Sequence, residues 1–178
     1  ELARRASIIV DQCDDLLRTV DKEHEITKRL ANPKPTESLT VGPVLASAVS
    51  TVEAAGANVT VEGATDLRVE ATKDFERAIR ELITNAVTHA DRETPRIVVE
   101  VTAEGDEAVI SVADNGAGIP EMERNILTGD REIEPLYHGS GLGLWLVSQI
   151  VRQSNGRLSF HENEPRGSVV TVRLPLAD

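Results

Sequence analysis

The 178-residue chain has few of the residues on which many other folds and sites depend. Its four aromatic side chains are Phe75, Tyr137, Trp145 and Phe160. The core must therefore be built mainly from Ala, Val, Ile and Leu. The single cysteine, Cys13, excludes an internal disulfide and a multi-cysteine metal site, and it fits a reducing cytoplasm. No apolar stretch approaches the roughly 20 residues that a membrane-spanning helix needs, so we expect no membrane contact in this chain.

Basic residues are outnumbered, with 19 Lys and Arg against 30 Asp and Glu and a net charge of −11. Binding of a nucleic acid requires clustered Lys and Arg to neutralise phosphates, so we expect no nucleic-acid partner. Many acids, few lysines and few large apolar residues favour adaptation to a high-salt cytoplasm. Salt at about 1 M screens charges beyond about 3 Å and so limits acidic self-repulsion. An ordinary acidic protein is the alternative.

The first 31 residues carry an apolar seam with spacings of 4, 3, 4, 3 and 4: Leu2, Ala6, Ile9, Cys13, Leu16 and Val20. This heptad-like pattern predicts one helix of roughly 28 residues. One apolar stripe cannot bury itself, so the helix must pack on an upstream helix or on a second copy of the chain. Residues 32–36, which contain Pro33 and Pro35, predict a hinge. Because the chain opens with Glu1 and no leader, we expect part of a longer protein, which could be soluble or membrane-attached.

Beyond the hinge, helical and strand patterns mix without regular β-α-β alternation. Helical spacing predicts one helix starting near Pro43 and two further helices at Lys73–Ala90 and Leu142–Ser154. The predicted strands are Ser38–Val41, Asn58–Glu62, Leu67–Glu70, Arg96–Ala103, Ala108–Ala113, Arg157–His161 and Val169–Leu174. This order favours a mostly antiparallel sheet with helices on one face.

A first polar motif lies on the helix predicted at Lys73–Ala90. Glu81, Asn85 and His89 are spaced at i, i+4 and i+8, which places them on one stripe beside the buried face. A carboxylate, an amide and an imidazole on one stripe can surround a metal–phosphate group, and Asn offers Mg²⁺ a neutral oxygen. Taken alone, a solvated helix edge is the simpler explanation of these residues.

A second motif, Asp114-Asn-Gly116-Ala-Gly118, directly follows a predicted strand. Its glycines let the chain turn sharply and approach a flat ligand without a Cβ in the way. The Asp114 carboxylate could accept a hydrogen bond from an exocyclic amine. A plain turn is the alternative, since Asp-Asn-Gly favours turns.

A third motif, Gly139-Ser140-Gly141-Leu142-Gly143, opens the last predicted helix. Glycines at a helix start expose N–H groups, and the helix dipole favours an anion there. The spacing matches neither the P-loop nor the Gly-x-Gly-x-x-Gly dinucleotide motif.

Together, in this order and spacing, the three motifs resemble those of the GHKL (Bergerat-fold) ATPases, and among them the catalytic domain of sensor histidine kinases. The segment Glu81–Ala90 looks like the N box, Asp114–Gly118 like the G1 box and Gly139–Leu144 like the G2 box. The resemblance covers residues 36–178. The helix 1–31 looks like the second helix of the dimerisation hairpin that precedes the catalytic domain in that family.

The resemblance implies three parts. Residues 1–31 would be one helix of an incomplete dimerisation and phosphoacceptor hairpin, residues 32–36 a hinge, and residues 37–178 an ATP-binding catalytic domain. The implied fold is α/β, an α+β two-layer sandwich in which three helices cover a mixed, mostly antiparallel sheet, preceded by the long N-terminal helix. The implied activity is ATP-dependent phosphotransfer to a histidine upstream of this chain.

The resemblance also implies roles for individual residues and partners. Asn85 would ligate Mg²⁺, Asp114 would bind the adenine amine, and Glu81 would be the catalytic acidic residue of the N box. The remaining residues implied to bind ATP are His89, Gly116, Gly118, Gly139, Ser140, Gly141, Leu142 and Gly143. The implied cofactors are ATP and Mg²⁺, and the implied partners are the upstream phosphoacceptor helix, a second copy joined through the N-terminal helix, and a response regulator.

Three departures from the family pattern keep other functions open. Thr88 stands where a basic residue is common, the lid at 121–138 has no phenylalanine pair, and no acceptor-histidine motif is present, since the residues after His24 do not fit it. Tyr137 and His138 are the only lid candidates for nucleotide or partner contact. The alternatives are a GHKL-type ATPase, an anti-sigma-type serine kinase, or a nucleotide-binding module without catalysis.

Overall fold

A computed structural model describes residues 35–53, 58–88, 95–119 and 141–178. The predicted N-terminal helix, most of the hinge and the lid lie outside these ranges. The described elements, in chain order, are β1 (Thr36–Thr40), α1 (Val41–Glu53), β2 (Asn58–Gly63), β3 (Arg68–Thr72), α2 (Phe75–Thr88), β4 (Arg96–Glu104), β5 (Glu107–Asp114), α3 (Gly141–Gln153), β6 (Arg157–Glu162) and β7 (Ser168–Pro175). Within the described ranges, no helix is both long and apolar enough to cross a membrane.

Five strands form the main sheet in the order β2-β4-β5-β7-β6. Only the β2–β4 pair is parallel, and the other three pairs are antiparallel. The prediction of a mixed, mostly antiparallel sheet with three helices is therefore confirmed for the described residues.

Two predicted strands do not join the main sheet. β1 and β3 pair with each other as a separate antiparallel ribbon, which a single bridge between Val69 and Leu176 links to the segment after β7. β7 ends at Pro175, which lacks an N–H and cannot continue a ladder. β1 begins at Thr36, a residue predicted to belong to the hinge. β1 ends at Thr40, so Val41, which was predicted to end the strand, begins helix α1 instead.

One face of the main sheet carries the core. Alternate residues of the three central strands are buried on this face: Ile97, Val99 and Val101 of β4, Ala108, Ile110 and Val112 of β5, and Val170, Val172 and Leu174 of β7. They form one apolar cluster with buried side chains of all three helices. Aliphatic side chains dominate this cluster, with Phe75 as its fully buried aromatic member. The helices therefore lie on one face, as the strand order predicted.

The helix α2 begins at Phe75, two residues after the predicted start at Lys73. The Asp74 carbonyl accepts the backbone N–H of Ala78 at 3.2 Å, so Asp74 takes the N-cap position. Helical spacing predicts a buried face on this helix made of Phe75, Ile79, Leu82, Ile83, Ala86 and Ala90. The first four are buried and Ala86 is half-buried, and Ala78, outside the predicted face, is buried as well. The far end of the predicted helix, residues 89–90, lies outside the described ranges.

Helix α3 is tied to the strand before α2. Asn155, with φ of 55°, ends α3, and the Gly156 N–H returns to the Val151 carbonyl at 2.9 Å in the pattern of a Schellman cap. The buried Ser154 hydroxyl donates to the Ile150 carbonyl at 2.9 Å and accepts the Thr72 N–H at 3.0 Å. Because Thr72 ends β3 just ahead of α2, these bonds help to fix α3 relative to α2.

Candidate nucleotide site

The start of α3 packs directly on the polar stripe of α2. A Cβ placed on Gly143 would lie 3.1 Å from Glu81 Oε2 and 3.2 Å from Asn85 Nδ2. Those separations are tighter than most Cβ contacts, so a side chain at residue 143 would press on the polar groups of both residues. The first and third sequence motifs, whose contacting residues Asn85 and Gly143 are 58 positions apart in the chain, therefore meet in space.

The side chain of Asn85 has an unsatisfied atom at this contact. Its Nδ2 is buried and has no hydrogen-bond partner among the described residues. A buried amide without a protein partner is a candidate ligand group, because burial of an unpaired polar atom is costly. The residue is half-buried, and so is Glu81 one turn earlier.

The donor set around Asn85 fits Mg²⁺ held jointly with a nucleotide. Within the described ranges, no three His, Cys, Asp or Glu side chains lie together as a metal cage. Mg²⁺ commonly takes one or two protein oxygens and completes its shell with water and substrate phosphates. The side-chain oxygen of Asn85, Oδ1, lies at the same contact with Gly143 and can supply such a ligand.

Asp114 is the last residue of β5 and is oriented by several donors. Its register opposite Ile97 places its side chain on the helix-bearing face of the sheet. One carboxylate oxygen accepts the Gly116 N–H at 2.8 Å and the Ser168 N–H at 3.4 Å, and the other accepts the Ser168 hydroxyl at 2.5 Å. The second oxygen keeps one lone pair for a further donor, such as an exocyclic amine.

A cleft of about 270 Å³ opens beside Ser168, whose hydroxyl bonds the Asp114 carboxylate, although Asp114 itself does not line the cleft. Its lining includes Gly118, Ile119 and Phe160, with Ser168 at the Asp114 end. Ile119 and Phe160 offer apolar surface for a flat base, and Gly118 adopts φ of +88° as the chain turns. Gly116 is buried and does not line the cleft. Its contribution to the site is the N–H that it donates to Asp114.

Three residues outside the sequence motifs also hold Asp114: Asn163 and Gly167 of the β6–β7 loop and Ser168 at the start of β7. The Asn163 side chain donates to the Asp114 carbonyl at 2.7 Å. Gly167 packs so closely that a Cβ on it would lie 2.0 Å from that carbonyl oxygen. The signal that could have found them is the Gly-Ser pair opening the last strand, which antiparallel pairing with β5 places beside Asp114.

Part of the predicted site lies outside the described residues. His89, Gly139 and Ser140 are in this group, while Gly141 and Leu142 fall in the first turn of α3. Thr88, the residue found in place of a basic one, is exposed at the end of α2. Glu81, Asn85 and Gly143 form one cluster, and Asp114 lies beside the cleft at the end of β5.

A family model described as "Histidine kinase-, DNA gyrase B-, and HSP90-like ATPase" matches residues 70–178, which is more than half of the chain. The chain belongs to this family. The resemblance stated from the three motifs is therefore confirmed, and with it the presence of an ATP-binding domain of this ATPase type.

Sensor histidine kinases are among the relatives of this ATPase-family chain. It is 32% identical to the methanogenesis regulatory histidine kinase FilI of Methanothrix harundinacea over 152 residues, which are 83% of the chain and 17% of FilI. It is also 32% identical to the circadian input-output histidine kinase CikA of Synechococcus elongatus over 116 residues, 61% of the chain and 15% of CikA. The chain thus spans less than a fifth of either relative.

The fold is also that of solved histidine kinase domains. The mycobacterial sensor histidine kinase MprB superposes with a TM-score of 0.64 at 24% identity, covering 79% of this chain and 97% of that one. At this identity the likeness concerns the fold alone. It agrees with the described arrangement of three helices on a mixed sheet.

Proposed function

We propose that residues 37–178 are the ATP-binding catalytic domain of a two-component sensor histidine kinase, which transfers the γ-phosphoryl group of ATP to a histidine on an upstream helix. The observation that carries this proposal is the contact of Gly143 with Glu81 and Asn85, because it brings a helix N-terminus to a carboxylate and an unpartnered amide. Asp114 supplies a base-reading carboxylate at the end of a neighbouring strand.

Adenine recognition is assigned to Asp114. Its carboxylate already accepts hydrogen bonds from Gly116 and Ser168, which fix its orientation before a ligand arrives. A pre-oriented carboxylate accepts a hydrogen bond from the adenine amine, whereas guanine and hypoxanthine present an oxygen at that position and would be repelled. The base itself would lie in the cleft beside Ile119 and Phe160.

Phosphate binding is assigned to the region where α3 begins. The N–H groups and the dipole at a helix N-terminus attract anions, and this matters in a chain with a net charge of −11 because the global field opposes ATP. Gly139, Ser140, Gly141, Leu142 and Gly143 are proposed to contribute here, and His89 to contact the nucleotide. Asn85 would hold Mg²⁺, which neutralises phosphate charge when bound.

The proposed catalytic residue is Glu81. An imidazole nitrogen that attacks the γ-phosphorus forms a P–N bond while the bond to the ADP oxygen breaks, and the imidazole then has a proton to lose. Glu81 lies at the α2–α3 contact beside Asn85, where its carboxylate can take up that proton. Positioning and charge neutralisation supply the rest of the catalysis.

The partners follow from the same proposal. Residues 1–31 would form one helix of the dimerisation hairpin and join a second copy of the chain, with residues 32–36 as the hinge. A response regulator would receive the phosphoryl group from the histidine. We place this reaction in the cytoplasm.

The test supplies the chain with labelled ATP and a separate helical hairpin that carries a phosphoacceptor histidine. We expect acid-labile, base-stable label on the hairpin and none on the chain alone. Release of phosphate without any acceptor would instead indicate an ATPase, label on serine a serine kinase, and ATP binding without either a nucleotide-binding module.

Two matched variants on α2 make the test specific. Glu81→Gln should keep ATP affinity within about threefold and lose transfer by about 10²-fold or more, as expected for a proton acceptor. Glu76→Gln is the control, because Glu76 is an acid on the same helix that bonds Ser47 and Arg80 instead. Equal loss of transfer in both variants would argue against Glu81.

A further inference from the structure

The carbonyl of Asp114 has an unusual partner for its place in the sheet. The β5–β7 ladder ends at the pair Ala113 and Val169, so the carbonyl of Asp114 lies one residue beyond the last paired position. The Asn163 side chain fills that place, with Nδ2 donating to the Asp114 oxygen at 2.7 Å. The same residue that reads the base is thus held by its main chain as well as by its carboxylate.

The β6–β7 loop is shaped to make this contact. The Asn163 N–H donates to the Gly167 carbonyl at 3.0 Å, which closes the loop on itself. Gly167 adopts φ of +117°, and its missing Cβ leaves room for the loop to press on Asp114. Ser168 follows at once and donates to the carboxylate. The loop therefore holds the backbone of Asp114, and the residue that follows the loop holds its side chain.

Asp114 lines a second cleft, of about 340 Å³. Val98 and Ala113 line this cleft as well, and Asn163 lines both clefts. Val98 and Ala113 alternate with core-facing residues, so this cleft lies on the opposite face of the sheet from the base cleft. Solvent in this cleft could satisfy the Asp114 carbonyl if the amide were removed, but water would not hold the strand end at a fixed angle.

We propose that Asn163 is a positioning residue for base recognition: its side-chain amide fixes the end of β5 so that Asp114 meets a purine amine at position 6, and this sets the preference for adenine nucleotides. The inference rests on the proposed function, in which Asp114 reads adenine. It assigns to the β6–β7 loop a role in ligand specificity that is exerted through Asp114.

The experiment compares ATP with inosine triphosphate, which carries an oxygen in place of the amine at position 6. Calorimetry at high salt measures both affinities for the wild-type chain and for Asn163→Ala, which keeps the backbone bond to Gly167. In Asn163→Ala we expect the ATP affinity to fall about fivefold and the inosine triphosphate affinity to stay within about twofold. The ratio of ATP affinity to inosine triphosphate affinity should therefore decrease. Asn163→Gln, which keeps a donor, should restore part of the ratio.

Ser111→Ala is the matched control. The Ser111 hydroxyl shares a hydrogen bond with the Thr171 hydroxyl at 3.2 Å, so it joins the same two strands, β5 and β7, without bonding Asp114. Its ratio should equal that of the wild type. If Asn163→Ala folds and its ratio of ATP affinity to inosine triphosphate affinity equals that of the wild type, the inference is overturned. If Asn163→Ala does not fold, Asn163→Asp, which also lacks the donor, takes its place, and a wild-type ratio in that variant overturns the inference. Equal wild-type affinity for the two nucleotides would overturn the adenine assignment itself.

Discussion

Replacing Gly143 with alanine should separate the stability of the fold from its ability to bind Mg-ATP. The new Cβ would lie 3.1 to 3.3 Å from Glu81 Oε2 and both polar atoms of the Asn85 amide. Those atoms must then move by a few tenths of an ångström. Alanine is favoured over glycine inside a helix by about 1 kcal/mol, and residue 143 lies in the first turn of α3. The crowding and the gain in propensity offset each other, so we expect the melting temperature to change little.

Nucleotide binding should respond differently. Mg²⁺ requires oxygen ligands at about 2.1 Å in an almost ideal octahedron. A displaced Asn85 oxygen would therefore bind Mg²⁺ less tightly. We expect the affinity for Mg-ATP to fall about tenfold and the affinity for metal-free ATP to fall less. Calorimetry with Mg²⁺ and with a chelator measures both, and the fluorescence of Trp145, the single tryptophan and also in α3, gives an independent signal.

Gly105→Ala is the control for this substitution. Gly105 has φ of +63°, and an added Cβ would have no atom within 4 Å. Alanine at this position should therefore lower the stability by about 1 kcal/mol through backbone strain alone. Its affinity for Mg-ATP should match the wild type. Unchanged Mg-ATP affinity in Gly143→Ala would refute the claim that this contact forms the metal–phosphate site.

Three further predictions concern the base, the metal and the salt. Asp114→Asn should weaken ATP binding about 10- to 100-fold, because the amide must turn a donor toward either Gly116 N–H or the adenine amine; equal affinities by calorimetry would reject the adenine assignment. Asn85→Ala should bind ATP equally with and without Mg²⁺ while its circular dichroism stays native, and a persisting Mg²⁺ enhancement would show that Asn85 is not the ligand. The melting temperature should rise as KCl increases from about 0.1 to about 2 M, since screening reduces acidic self-repulsion; a flat or falling trend would reject adaptation to high salt.

Local patterns were sufficient to predict the described elements. Alternation along Arg96–Ala103 and Ala108–Ala113 predicted β4 and β5 within a residue or so of their ends, because the period of a half-buried strand is visible in the residues themselves. The spacing on α2 likewise identified four of its five buried residues. What alternation could not show was the pairing of β1 with β3, since both strands carry the same signal as those of the main sheet.

The candidate site was predictable only in part, for a similar reason. Asp114, Asn85 and Gly143 stand in motifs whose residue types suggest their chemistry. The hydrogen bond from Asn163 to Asp114 joins residues that are 49 positions apart in the chain. It depends on where β6 and β7 place the loop between them, so no local pattern predicts it. The contact of Gly143 with Asn85 likewise depends on the crossing of two helices that are far apart in the chain.

The most direct test of the account is an experimental structure of the chain with Mg²⁺ and a non-hydrolysable ATP analogue. The account predicts the adenine amine within hydrogen-bond distance of Asp114, the base between Ile119 and Phe160, and Mg²⁺ ligated by the Asn85 oxygen and phosphate oxygens. A nucleotide bound elsewhere, or a metal ion ligated without Asn85, would contradict it.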